Sequence, residues 1–114
     1  MRHRLTYLAA PYTHSDPAVL EARYVAANRA CAALMADGPV FSPISHSHPV
    51  ADYMDPALRL DHAFWQEQDT AILSHCSRVV VLKVDGWRES KGVLAEIAKA
   101  YELRIPVEYM EPLP

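Results

Sequence analysis

The segment Arg78-Val79-Val80-Val81-Leu82-Lys83-Val84 is nearly apolar throughout and shows no alternation of polar and apolar positions. A strand with one wet face alternates, whereas a strand that is apolar on both faces needs cover on both, as in the middle of a parallel sheet. Parallel neighbours are joined by long crossovers, usually helices. The chain is therefore expected to alternate strands with helices.

Leu5-Thr6-Tyr7-Leu8-Ala9 is a run of strand formers ending before Pro11, and residues 10–15 form its exit loop. Ser15 or Asp16 can cap a helix that has Pro17 in its first turn. Leu20, Tyr24, Ala27, Cys31 and Leu34 follow at the spacing of one buried helical stripe, and Asp37-Gly38-Pro39 ends it. Val40-Phe41-Ser42 is a brief second strand. Pro43, Pro49 and Pro56 then punctuate a stretch expected to be irregular, which contains Ser45-His46-Ser47-His48. A helix is expected from about Leu60 to Cys76, with Trp65, Ile72, Leu73 and Cys76 on its apolar side. After the 78–84 strand comes an exit loop over 85–90. A helix from Lys91 to Leu103 with Leu94, Ile97 and Tyr101 inward follows, then a last strand near 106–109. This order predicts right-handed crossovers and a small three-layer α/β sheet ordered 2-1-3-4.

Size and charge narrow the possibilities. The 114 residues, 51% of them apolar, suffice for one domain spanning 1–114 and leave no room for a second core. Eleven Lys and Arg against 14 Asp and Glu give a net charge of −3, without the positive excess that binding a long nucleic acid requires. No apolar run reaches the roughly 18–20 residues of a membrane span, and Met1-Arg2-His3-Arg4 leads into a strand rather than a signal peptide. Two widely separated cysteines, Cys31 and Cys76, do not make a disulfide framework, so a cytoplasmic protein with reduced thiols is expected. With nine Pro and only three Gly, each glycine is a position to follow.

Ligands of open parallel sheets bind outside the carboxyl ends of the strands, where strand order reverses. That point lies here between the first and third strands and gathers the loops 9–15, 42–49 and 85–92. Glu96 lies a turn too deep to cap its helix. It falls beside Val93 and Ala100, where the positive helix N-terminus would keep a carboxylate ionised; its structural alternative is a solvated glutamate paired with Lys99. Asp69 shares a helical stripe with Trp65, Ile72 and Cys76, so it either has a chemical role or is held by backbone N–H groups of a neighbouring loop. Ser90-Lys91-Gly92 could bind an anion, although Ser90 also suits an ordinary N-cap. Tyr7 and Tyr12 bracket the exit of the first strand and could bind a ligand or simply pack. His46 and His48 could supply two metal ligands, but beyond Asp52 or Asp55 no third ligand at a recognised spacing accompanies them, and no metal site is expected. Phosphate-loop, dinucleotide-fold and nucleophile-elbow motifs are all missing, and no cofactor is expected.

Tyr7-Leu8-Ala9-Ala10-Pro11-Tyr12 resembles the opening strand and loop of the nucleoside 2-deoxyribosyltransferases. Asp69 with Ala71-Ile72-Leu73, leading into Arg78-Val79-Val80-Val81-Leu82, is similar to that family's acidic helix and central strand. Ser90-Lys91-Gly92-Val93-Leu94-Ala95-Glu96 resembles its most telling motif, in the form with serine shared by the related 2'-deoxynucleoside 5'-monophosphate N-glycosidases. The His46/His48 segment resembles small bacterial and phage members of this superfamily. The resemblance implies a Rossmann-like or flavodoxin-like sheet, an active site often completed by a neighbouring subunit, hence a homo-oligomer, and cleavage of an N-glycosidic bond. It puts Glu96 in the place of the nucleophile, Tyr7 in that of the tyrosine orienting it, and Asp69 in that of the acid associated with the base. Ser90 and Gly92 match the sugar and 5'-phosphate end. Tyr12, His46, His48 and Trp87 are further candidates for substrate contact, Trp87 either stacking on a base or covering the sheet. The expected function is hydrolysis or base transfer on a nucleoside or nucleoside 5'-monophosphate. The alternatives are a non-catalytic nucleotide-binding or sensing module and a metal-dependent hydrolase built on the two histidines.

Overall fold

The computed structural model describes residues 4–114 of the chain, so the opening Met1-Arg2-His3 lies outside the described residues. Four strands, β1 (Thr6–Ala9), β2 (Val40–Phe41), β3 (Arg78–Leu82) and β4 (Val107–Met110), form one all-parallel sheet in the order β2-β1-β3-β4. This is the order expected from the element pattern, with the continuous apolar strand β3 between β1 and β4, and the sheet is Rossmann-like, as the resemblance implied. Helices α1 (Pro17–Met35), α2 (Pro43–Ala51), α3 (Pro56–Arg59), α4 (His62–Leu73) and α5 (Lys91–Glu102) make the connections. Among the described residues no helix is long and apolar enough to cross a membrane.

Strand side chains alternate between the two faces, and each face has its own core. Tyr7, Ala9, Val79 and Val81 point to one side, where Leu73, Cys76, Val93 and Ala100 cover them. Leu8, Val80 and Leu82 point to the other, against Ala30 and the partly buried Ala26, Cys31 and Leu34 of α1. The three layers are thus α1, the sheet, and α4 with α5.

The residues 43–51, expected to be irregular, are helical. Pro43 is the first residue of α2, where no N–H is needed, and Ser42 caps it by accepting from the Ser45 N–H. Pro17 opens α1 as expected and Pro56 opens α3 in the same way, so Pro43 and Pro56, which read as breaks, are helix starts. The helix expected over 60–76 is shorter at both ends. Asp61 caps it at His62, and Cys76 lies beyond it in a turn closed by its N–H on the Leu73 carbonyl. Trp65, expected inward, is only partly buried and donates its indole N–H to the Arg59 carbonyl at 2.8 Å. In α5 the inward residues are Val93 and Ala100, with Ile97 partly buried, whereas Leu94 and Tyr101 are 48% and 63% exposed. The inward stripe of α5 is therefore turned away from the one expected, because the helix docks over β3 with its Glu96 flank toward β1.

Candidate functional site

Three of the predicted residues converge. Tyr7 sits in the second position of β1 and points to the α4/α5 side, fully buried. Its hydroxyl donates to Glu96 Oε2, joining β1 to α5 across 89 positions of sequence. Asp69, on α4, lies close enough for its charge to act on both of them. The Phe41 ring packs 6.1 Å from the Tyr7 ring and walls the β2 side, with the exposed His46 5.8 Å beyond it. Phe41 had no signal in the sequence beyond being a strand residue; only sheet pairing beside Tyr7 brings it here.

Burial sets the electrostatics. It pushes the Glu96 carboxyl up to about 8; the Tyr7 hydrogen bond opposes this and the nearby Asp69 adds to it. The expectation that the helix N-terminus keeps Glu96 ionised is therefore corrected. Removing a carboxylate from water outweighs the partial charge of a helix end nearly two turns away, because that influence fades beyond the first turn. Lys99 does not compensate, since its amine pairs with Glu102 at 3.3 Å. Burial also pushes Asp69 up to about 6. Its Oδ1 is buried with no hydrogen-bond partner among the described residues, so the alternative of an acid held by backbone N–H groups does not apply to that oxygen. The Tyr7 phenol is pushed well above its ordinary value, first by burial and then by the two carboxyls, so it remains a donor. Neither cysteine competes as a nucleophile: burial raises both thiols, that of Cys76 to about 11.

Nearly two turns closer to the start of α5, Ser90 acts as the N-cap, its Oγ accepting from the Val93 N–H at 3.2 Å. Gly92 follows in the first turn, and a Cβ built there would meet only Ser90 Oγ at 3.9 Å. No packing within the described residues requires this glycine, yet glycine inside a helix costs about 1 kcal/mol relative to alanine. Gly92→Ala is expected to stabilise the free protein by about 0.5–1 kcal/mol in urea unfolding. A destabilised variant would show that the turn has no room for a methyl group.

The remaining candidates lie outside this cluster. Tyr12 is partly buried, with its hydroxyl 2.6 Å from His48 Nδ1. His48 stacks on Tyr24 at 4.1 Å, and its Nε2 is 3.6 Å from Glu21, so it fastens α2 to α1. His46 and His48 are two positions apart on α2 and project roughly 200° apart around the helix. Among the described residues no three His, Cys, Asp or Glu gather in a metal-binding group. Trp87 packs 5.5 Å from Tyr109 with the Arg88 guanidinium 5.2 Å over its ring, covering the β4 side of the sheet.

Arg23 was not singled out by its spacing, and its task is set entirely by tertiary structure. Its guanidinium donates to the Thr13 carbonyl and to the Asp85 carbonyl, both at 3.1 Å, tying together the exit loops of β1 and β3. Gly86 makes room for it: the backbone there has φ of 92°, and a Cβ would fall 2.6 Å from Arg23 Nη2.

The fold is that of an all-parallel, three-layer α/β protein, with the Tyr7–Glu96 pair and the neighbouring Asp69 beneath its α4/α5 layer. The chain belongs to the family described as a domain of unknown function, DUF1937, whose model matches residues 4–112. No curated protein matches the chain.

Proposed function

We propose that the chain is an N-glycosidase or base transferase acting on a nucleoside or nucleoside 5'-monophosphate, with Glu96 as nucleophile and Asp69 as acid. The observation that carries this reading is the Tyr7 hydroxyl donating to Glu96 beside an Asp69 oxygen that has no partner among the described residues. In the reaction the Glu96 carboxylate bonds to the anomeric carbon as the carbon–nitrogen bond breaks. The electron pair leaves with the base, which takes the Asp69 proton. Water, or an N–H of a second base, then displaces Glu96 from the sugar and gives up its proton to the Asp69 carboxylate, which restores both groups. Positive charge developing on the sugar ring favours the ionised form of Glu96, which burial disfavours in the free protein. Ser90 and Gly92 at the start of α5 suit the sugar and its 5'-phosphate. We place the activity in the cytoplasm, in keeping with the free thiols of Cys31 and Cys76.

A non-catalytic nucleotide-binding module draws on one observation. With its carboxyl raised to about 8, Glu96 is mostly protonated at neutral pH and could serve as a hydrogen-bond donor to a bound base. Incubation with a panel of deoxynucleosides, ribonucleosides and their 5'-monophosphates, followed by chromatography of free bases, separates the two. Base release is expected. Thermal stabilisation by a nucleotide with no release under any condition would favour the binding module.

A further inference from the structure

The last strand of the sheet, β4, has β3 on one side, and among the described residues nothing pairs with it on the other. The Val79 N–H donates to the Pro106 carbonyl and the Lys83 N–H to the Met110 carbonyl, so the even-numbered positions of β4 face β3. By the alternation of a parallel ladder, the N–H and C=O groups of Val107 and Tyr109 point outward. Unpaired edge groups of this kind are a template for another strand.

The side chains at this edge belong with that observation. Leu94 and Tyr101 lie on the flank of α5 opposite Glu96, and Tyr101 lies near Tyr109. Leu94, Tyr101 and Tyr109 are 48%, 63% and 48% exposed, and the partly buried Trp87 continues the patch through Tyr109. The periodicity of α5 marks Leu94 and Tyr101 as inward residues, yet the monomer leaves them in water. Aromatic and aliphatic anchors surrounding a free backbone edge are the composition of a protein interface.

We propose that a second copy of this chain docks here, with β4 pairing antiparallel to its own copy so that the two sheets become one. The geometry is self-complementary. With Glu108 on the dyad, Val107 lies opposite Tyr109 of the other copy, and the outward groups of both exchange hydrogen bonds in reciprocal pairs. The same register brings Arg104, exposed in the turn after α5, beside the end of the other copy's β4, where Glu111 pairs with Lys83 at 2.7 Å and carries the negative charge Arg104 approaches. Glu108 meets its own counterpart, and Arg78, 3.3 Å from it in each chain, offsets that repulsion. The α5 flanks carrying Leu94 and Tyr101 then face each other across the dyad, away from the Tyr7–Glu96 side.

Sedimentation velocity from micromolar to sub-millimolar concentration tests this, with hydrogen exchange on the same samples. A dimer is expected, with the Val107 and Tyr109 amides becoming protected as it forms. The double variant Leu94→Lys/Tyr101→Lys is expected to raise the dissociation constant at least about tenfold while keeping the native circular dichroism spectrum. A protein that stays monomeric throughout overturns the proposal. So does a dimer whose Val107 and Tyr109 amides exchange as fast as in the monomer, a readout that stands even if the double variant fails to fold.

Discussion

Glu96→Gln is expected to lower base release at least about a thousandfold and, at the same time, to make the protein more stable at pH 8. The amide cannot form the glycosyl bond, which accounts for the first effect. The second follows from proton linkage. The Glu96 carboxyl titrates near 4.5 when exposed and at about 8 in the fold, so the folded state holds its proton more tightly than the unfolded state. Stability contributed by this group is complete below the unfolded value and is lost as pH rises through the folded one. Glutamine carries no such penalty and can still accept the Tyr7 hydrogen bond. Its advantage is therefore small near about pH 4 and of the order of a few kcal/mol at pH 8, a rise in Tm of roughly 10 °C. Thermal melts of both proteins across this range check it. A variant that is inactive but no more stable at pH 8 would mean that the carboxyl is not desolvated as described, and one with unchanged base release would eliminate the nucleophile.

Asp69→Asn is expected to lose about a hundredfold or more in rate and to change the shape of the pH profile. In the parent protein, activity requires Glu96 ionised and Asp69 protonated, although Asp69 at about 6 releases its proton before Glu96 at about 8. The product of those two fractions rises to about pH 6, stays level, and falls above about pH 8. Only a minority of molecules carries the reactive arrangement on that plateau. With asparagine the alkaline limb disappears, because no proton remains to be lost. The acidic limb then moves up toward the Glu96 value, stopping short of 8 because the Asp69 charge no longer raises it. Measuring kcat/KM against pH for both proteins decides the roles. Loss of the acidic limb with retention of the alkaline one would reverse them, making Asp69 the base and Glu96 the acid.

Much of this site was legible in the sequence, though for uneven reasons. Asp69 stood out because a helical stripe of Trp65, Ile72 and Cys76 leaves an acid no simple route to water. Glu96 stood out because it was too deep to cap α5, and spacing could not separate a solvated side chain from one under Tyr7. His48 illustrates the opposite outcome: a histidine in a proline-rich stretch looked available to a ligand, whereas Tyr12, Tyr24 and Glu21 occupy it. Arg23 and Phe41 carried no signal, because strap and wall are roles defined by partners far away in sequence.

What the sequence determined by itself was the arrangement of the fold. An apolar strand without alternation demanded cover on both faces, and the helical periods around it left the parallel order 2-1-3-4 as the natural result. Both properties are written in neighbouring residues and need no knowledge of the rest of the chain. Tertiary structure alone decided which flank of α5 faces the sheet and that the Glu96 carboxyl, beside Tyr7 as the resemblance implied, holds a proton at neutral pH. Desolvation sums the water displaced by every element packed around a group, and those elements come together only when the sheet forms.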